Sequence, residues 1–523
     1  MNKQSVKRRR DDNDDDGSAI TIDDRLSQLP LHILQHILSL LSQKDAIRTC
    51  LISKSWRYLW HGRLKVDFND NCFATQKQFW SFLENTLQRY LDQNLTLHQF
   101  IFDCRSVFDF ALLQKWIPVV ITNMCARSLN LICSCSSTVF RLPFIVFQSE
   151  FLVESHLEGR SLKILESTEK NIMLNNLRTL RLHWVNITDE IFEKIISGCP
   201  LIENLSLLTC FGLKSIKLHK HHNIKDFGCS VIDQTIIEFE DPHALERLFI
   251  ENCCSNCFLV HNNKHFPHLK YLELHRVQLP AETFDYFSSF FPCLDELILK
   301  LCEGLEEFHL SSSSIKRLII KMYMNNNIKA FIDTPNILYF EYSGHGFHPS
   351  LPSIEFGTTA NDWNSQITVW YKLKRSDNDA MSWFGKLNKL LMGLNQSLIN
   401  LTLIRKKYKK MDIYEGFCKP VVVEHLRLWD FFSSSSDPDL LNCFLRICHP
   451  RYIHMNLYEE GGVKCKSVNN IVEYMSKLIP NEIIGSYVWL KDLVGIEVQD
   501  NKSKDWQIVE GTICFRLTWR ESE

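Results

Sequence analysis

One spacing dominates the chain. L-x-x-L-x-L occurs at Leu177-Leu180-Leu182, Ile202-Leu205-Leu207, Leu245-Leu248-Ile250, Leu269-Leu272-Leu274, Leu294-Leu297-Leu299, Ile315-Leu318-Ile320, Ile337-Phe340-Tyr342, Leu398-Leu401-Leu403 and Val423-Leu426-Leu428. Successive starts lie 25, 43, 24, 25, 21, 22, 61 and 25 residues apart, so six of the eight gaps fall between 21 and 25. In a strand, alternate side chains point to one side, so this spacing predicts a short strand with its apolar row turned inward. A looser return segment then brings the chain back one layer, and each turn buries its leucines against its neighbours. The 43-residue gap holds a further copy at Leu213-Ile216-Leu218, and the 61-residue gap has room for degenerate turns and an insertion.

That period is the one expected of leucine-rich repeats. An array of this kind needs both ends shielded, which assigns capping roles to the residues before about 175 and after about 430. Phe100-Ile101-Phe102 and Leu129-Asn130-Leu131 suit irregular first turns. At 523 residues the chain is too long for one compact core, so two to four domains or one long array is expected. With 45% apolar and 23% charged residues, most of it folds. Lys+Arg 59 against Asp+Glu 61 leaves a formal charge of −2, so no global field gathers nucleic acid or anionic membrane.

The 19 cysteines are odd in number and follow no disulfide framework, which points to reduced thiols in cytosol or nucleus. No apolar stretch follows the basic residues of MNKQSVKRRRDDNDDDG, so this segment does not read as a secretory signal. No run approaches the ~20 apolar residues of a membrane helix. Sequons such as Asn94-Leu-Thr96, Asn186-Ile-Thr188 and Asn400-Leu-Thr402 are then chance matches. Residues 1–22 read as a solvated charged tail, with Lys7, Arg8, Arg9 and Arg10 in a cluster of the kind nuclear import signals use.

Between Asp23 and Phe68 the pattern becomes helical. Leu34, Ile37, Leu38 and Leu41 recur at three- and four-residue intervals behind Pro30. A second apolar-spaced segment carries Ala46, Ile47, Cys50 and Leu51, and a third carries Trp56, Leu59 and Trp60. Three helices in under fifty residues cannot bury this much apolar surface alone, so they borrow a partner, either another domain or another chain. On periodicity alone, the same residues serve equally as core of an ordinary helical domain.

Leu29-Pro30, the isoleucine-leucine helix after it, Asp45-Ala46, and Ser53-Lys54-Ser55-Trp56-Arg57 ending at Trp60 resemble the F-box of plant proteins. The resemblance implies docking on a Skp-type adaptor and, through it, on a cullin-RING ubiquitin ligase. Leu29, Pro30, Ile33, Ile37, Leu38 and Leu41 would form the adaptor-facing surface, with Trp56 supporting the helix packing. Thr188-Asp189-Glu190, Ser197-Gly198-Cys199-Pro200-Leu201 and Leu213-Lys214-Ser215-Ile216 extend the similarity to the plant F-box/LRR family. Many of its members end in an FBD, whose place residues 431–523 occupy. The expected fold is α/β: a charged tail at 1–22, an F-box at 23–68, a linker with irregular first repeats at 69–175, leucine-rich repeats at 176–430 and a C-terminal cap at 431–523.

Residues alternating with the inward leucines line the concave wall: Arg181 and His183, Ser206 and Leu208, Phe249 and Glu251, Glu273 and His275, Ile298 and Lys300, Ile319 and Lys321, Glu341 and Ser343. Both charges mix there with aliphatic and aromatic groups, which suits a polypeptide better than a phosphate backbone. The bet for contact with a protein substrate falls on Arg181, His183, Phe249, Glu251, Glu273, His275, Lys300, Lys321 and Glu341. A solvated strand face is the plainer reading of any one of them.

No catalytic signature emerges. Cys254-x-x-Cys257 with His261 and His265 leaves only three residues between its ligand pairs, too few for a finger to fold around zinc. His219, His221 and His222 read as a polar turn, and Gly344-His345-Gly346 lacks the spacing of a phosphate loop. Arg405-Lys406-Lys407-Tyr408-Lys409-Lys410 reads as a solvated basic loop. The expectation is a non-enzymatic substrate receptor without cofactor or metal, placed in cytoplasm, nucleus or both. The alternative is a repeat scaffold that binds proteins outside any ubiquitin ligase.

Overall fold

A computed structural model describes residues 28–41, 43–51, 56, 63–105, 110–133, 139–160, 162–164, 171–218, 221–231, 235–240, 242–252, 265–279, 283–323, 328–345, 351–371, 377–405, 419–429, 438–456, 492–498 and 512–520. The repeat spacing becomes a ladder of parallel strands in which neighbours in sequence are neighbours in space. In order these are Lys65–Asn69, Gln99–Cys104, Ser128–Cys133, Glu154–Glu158, Thr179–His183, Asn204–Cys210, Asp226–Val231, Arg247–Glu251, Tyr271–His275 and Glu296–Lys300. Arg317–Tyr323, Tyr339–His345, Asn364–Tyr371, Leu398–Arg405, Val421–Trp429 and Cys448–Asn456 continue it.

Two antiparallel strands end this 18-stranded sheet: Thr512–Trp519 pairs with Cys448–Asn456, and Leu493–Val498 pairs with Thr512–Trp519. The reversal stops the stack, and Trp519 pins it. The Trp519 ring lies parallel to His449 at 4.0 Å, and its Nε1–H donates to the Pro450 carbonyl at 2.7 Å.

Inward positions form one continuous interior running from Val66 to Leu517. The ladder passes through segments where leucine is absent. Phe227 and Cys229 are the inward pair of Asp226–Val231, so the turn in the 43-residue gap is Ile224-Phe227-Cys229. This corrects the reading of Leu213-Ile216-Leu218 as that turn. Ser215–Leu218 instead pairs with Ile236–Phe239 in a separate two-stranded sheet on the return side. Its residues are buried like ladder residues, so spacing alone could not separate the two. In the 61-residue gap the ladder strand is Asn364–Tyr371, whose first inward position is Ser365, bonded through Oγ to Ser397 Oγ at 2.7 Å.

The backbone leaves the strands by a repeated device. Trp184, Asn252, Arg276 and Leu301 follow directly on ladder strands with positive φ of 58°, 60°, 51° and 55°. Each donates its N–H to a carbonyl of the next turn, Leu208, His275, Lys300 and Lys321 respectively. The turn thus stays hydrogen-bonded while it bends away. Gly159 does the same toward His183 at φ 143°, where any side chain would collide with the Cys133 carbonyl. Three residues beyond the last leucine of their motifs, Cys210 and Cys302 send their thiols to the carbonyls of Leu182 and Leu274 at 3.2 and 3.3 Å. Burial raises these thiols to about 12 and about 11, so they remain protonated donors.

Charges alternate along the strand entries. Arg178, Glu203, Lys225, Glu246, Lys270, Asp295 and Lys316 stack in consecutive turns, each backbone N–H bonded to the carbonyl of the one before, from Glu203 to Lys316. Lys225 reaches Glu203 at 3.0 Å, Lys270 reaches Glu246 at 3.0 Å and Lys316 reaches Asp295 at 2.8 Å, while Arg178 also bonds Glu203. Hydrogen bonds from Lys225 and Arg178 hold the Glu203 carboxyl below its usual range. Like charges stacked at strand spacing would repel, and alternation converts that repulsion to attraction. Glu203→Lys, which places a cation between Arg178 and Lys225, is expected to lower the melting temperature in dilute buffer, with the deficit shrinking in ~1 M salt. A deficit that salt leaves unchanged would mean that the ladder's charges are not its cause.

Candidate functional site

The first candidate surface is the N-terminal helical segment. Its helix Leu31–Leu40 begins with the N–H groups of Ile33 and Leu34 bonded to the Pro30 carbonyl. Leu34 and Leu38, one turn apart, are buried with Ala46 and Trp56, and Leu29, Ile37 and Leu41 pack partly against them. This small core is separate from the interior of the solenoid. Leu38 is 0% exposed, so it belongs to that core and not to the adaptor-facing flank where the sequence reading put it. The helix turns its i, i+4 pair Leu34 and Leu38 inward, and that fixes which residues remain outside.

Outside are Leu31 at 58% exposure, Ile33 at 38%, Leu40 at 74% and, from the next segment, Leu51 at 88%, with Pro30 also exposed. Leu31 and Leu40 fall outside the apolar spacing read from the sequence, while Leu51 belongs to its second segment. Leu31 and Leu40 stand on opposite sides of a helix that is apolar around most of its circumference. Of the quoted pattern, Ser53-Lys54-Ser55, Arg57 and Trp60 lie outside the described residues. Arg63 joins this segment to the solenoid: its Nη2 donates to the Leu41 carbonyl at 2.8 Å, and its own carbonyl accepts from Tyr90 Oη at 2.6 Å.

The second candidate is the concave wall. Strand register sets Arg181, Ser206, Gly228, Phe249, Glu273, Ile298, Ile319 and Glu341 side by side. A parallel column holds His183, Leu208, Ser230, Glu251, His275, Lys300, Lys321 and Ser343. Arg181 is exposed, while His183, Phe249, Glu251, Glu273, His275, Lys300, Lys321 and Glu341 are half-buried. Ile298, Ile319 and Ser343, expected to point outward, are buried. The two isoleucines form an apolar strip between the ion pairs described next.

Most of the wall's charges are already partnered. Lys300 Nζ meets Glu273 Oε1 at 2.5 Å, Lys321 Nζ meets Glu341 Oε1 at 2.7 Å, and His275 Nδ1 meets Glu251 Oε1 at 2.9 Å. Tyr271 donates to Glu273, and Tyr339 donates to Glu341 at 3.1 Å. Burial pulls Glu273 upward, but the hydrogen bonds from Lys300 and Tyr271 outweigh it and keep this carboxyl below its ordinary range. At the wall's edge the guanidinium groups of Arg247 and Arg317 lie over the rings of Tyr271 and Tyr339, 4.0 and 4.7 Å from their centroids. Such a wall presents shape and, for these groups, paired charge.

Among motifs raised from sequence, Cys254, Cys257, His261 and His219 lie outside the described residues, as do Gly346 and Lys406 to Lys410. His265 Nδ1 is engaged with the Ser289 carbonyl at 2.7 Å.

Two family models match. An F-box domain model covers residues 26–65, and a model described as the LRR repeats of the FBD-associated F-box protein At5g56370 covers 113–257 and 235–339. The chain is 30% identical over 197 residues to the F-box/LRR-repeat protein At3g59200 of Arabidopsis thaliana, across 35% of this chain and 36% of that protein. It is 25% identical over 231 residues to F-box/LRR-repeat protein 13 of the same plant, across 42% of this chain and 50% of that one. The F-box protein At1g60400, also of A. thaliana, is 26% identical over 248 residues, across 46% and 60%. The chain thus spans between about a third and three fifths of the length of these relatives.

At the far end of the wall, His454 is buried with Nε2 at 2.9 Å from His425 Nδ1 and 3.9 Å from Cys514 Sγ. Burial first, then His425 and Arg427, lower it from 6.5 to about 4. Unfolding frees this imidazole to take up a proton, so stability is full above pH 6.5 and declines as pH falls from 6.5 toward 4. Melting temperatures across that window are expected to decline less steeply in His454→Asn than in the parent chain. Equal slopes would contradict the assignment.

Proposed function

We propose that this chain, an F-box followed by a leucine-rich-repeat solenoid of the FBD-associated kind, is the substrate-recognition subunit of a Skp–cullin–F-box ubiquitin ligase. The observation that carries the proposal is the exposed apolar flank of Ile33 and Leu40, with Leu31 exposed on the opposite side of the same helix and Leu51 in the next segment, around a small core. Burying one such side chain contributes roughly 1.5–3 kcal/mol, so the flank is a standing liability in water and a sufficient driving force for docking a Skp-type adaptor. Pro30, Ile33 and Ile37 fall on or beside it; Leu29 and Leu41 brace it from inside.

The concave wall holds the target. Arg181 offers an exposed cation, Phe249 a half-buried ring, and Glu251, Glu273, His275, Lys300, Lys321 and Glu341 a grid of paired polar groups. A polypeptide with matching side chains exchanges these internal pairs for intermolecular ones, while mismatched ligands leave charges unpaired, and specificity follows from that difference. The receptor contributes proximity: a target held on the wall is presented to ubiquitin-transfer chemistry that belongs to the partner subunits.

The test exploits the separation of the two cores. Ile33→Glu combined with Leu40→Glu alters exposed positions only, so the melting temperature is expected to stay within a few degrees. Affinity for a purified Skp-type adaptor is expected to fall at least ~100-fold, on the order of 3 kcal/mol. An unchanged adaptor affinity in the double variant would remove the ligase reading and leave a repeat scaffold.

A further inference from the structure

Early in the ladder, three potential ligands meet on adjacent strands. His156 and Glu158 are two residues apart on Glu154–Glu158, hence on one face, and His183 stands beside Glu158 in register on Thr179–His183. His156 Nε2 lies 3.2 Å from His183 Nδ1 and 3.5 Å from Glu158 Oε2, and His183 Nδ1 lies 3.9 Å from the same oxygen. A point equidistant from three atoms so separated is about 2.1 Å from each, the bond length of zinc to imidazole or carboxylate.

We propose that His156, Glu158 and His183 form a binding site for a divalent transition-metal ion, zinc in the first instance, on the concave wall. Two imidazoles and one carboxylate are a borderline donor set, suited to zinc and its neighbours in preference to calcium or magnesium. His183 is already oriented for the task. With Nδ1 turned to the metal, its Nε2 carries the proton, and that nitrogen is 3.3 Å from Ser206 Oγ, which accepts it and fixes the ring. Ser206 is therefore a positioning residue.

Burial first, then Asp103, push the Glu158 carboxyl upward against the pull of Arg105, while Arg181 brings a cation beside both histidines. All three ligands are half-buried and project from the face that lines the groove, so the ion's remaining positions open toward a docked molecule. A carboxylate or imidazole of a bound polypeptide would complete the sphere. That last role rests on the wall being a target-binding surface; the ion site itself does not.

The experiment uses the full chain stripped of metal with a chelator and titrated with Co²⁺, then Zn²⁺ in competition. One equivalent of Co²⁺ is expected to give weak visible bands without the thiolate-to-metal absorption of cysteine ligation. That equivalent is expected to be lost in Glu158→Gln and in His183→Asn, to weaken ~10-fold or more in Ser206→Ala, and to persist in His275→Asn, whose partner is Glu251 on the same wall. X-ray absorption of the zinc-loaded parent, which needs no variant to fold, is expected to show nitrogen and oxygen neighbours only at this equivalent. A parent chain that binds Co²⁺ solely through sulfur, or not at all, overturns the site, and so do Glu158→Gln and His183→Asn that bind as the parent does. Because this readout involves no adaptor, its failure leaves the ligase reading standing, and the converse also holds.

Discussion

No turn of this chain can bury its own apolar row. A strand of about five residues with two or three inward side chains has nothing to pack against except the next turn, and that dependence propagates along the whole ladder. Shifting one turn by a residue would send its apolar set to the wall and its polar set to the core, so Leu248, Leu272, Leu297 and Leu318 lock the register together. The wall is a by-product of that lock. Once the leucines are fixed inward, the residues between them stand in straight columns about one strand spacing apart, whatever their identity.

The N-terminal helices obey a different constraint. They are too few to share the solenoid's interior, and their own core comprises Leu34, Leu38, Ala46 and Trp56 among the described residues. One stripe of Leu31–Leu40 satisfies that core, leaving Ile33 and Leu40 on one side of it and Leu31 on the other in water. The molecule therefore presents one surface that is costly to expose and one whose charges are already reconciled. The first favours a permanent, apolar partner; the second favours partners chosen by matching, since an ion pair on a half-exposed wall contributes little by itself.

Leucine spacing made the ladder legible from the sequence, and its failures are instructive. Ile224-Phe227-Cys229 and the Ser365 turn escaped because other buried residues stand where leucine was sought, and Leu213-Ile216-Leu218 was mistaken for a turn because return segments are apolar too. Alternation correctly named Arg181, Glu273 and Lys300 as wall residues. It set Glu251 beside His275 and Glu273 diagonal to Lys300, but it could not say that these side chains close into ion pairs, since that depends on their rotamers. His156 and Glu158 sit in a turn whose first inward residue is Ser155, so the leucine search passed over it and the histidine–carboxylate cluster emerged only in three dimensions. In the F-box segment, the helical period identified the apolar residues but left open which of them close on themselves.

The central claim is a division of labour between an apolar flank at one end and a paired polar wall along the groove. Hydrogen–deuterium exchange on the full chain, with and without a purified Skp-type adaptor, tests it most directly. The account predicts that adaptor slows exchange in peptides covering residues 28–51 and leaves the wall strands between Thr179 and His345 unchanged. Protection centred on the wall strands, or none anywhere at saturating adaptor, would contradict it.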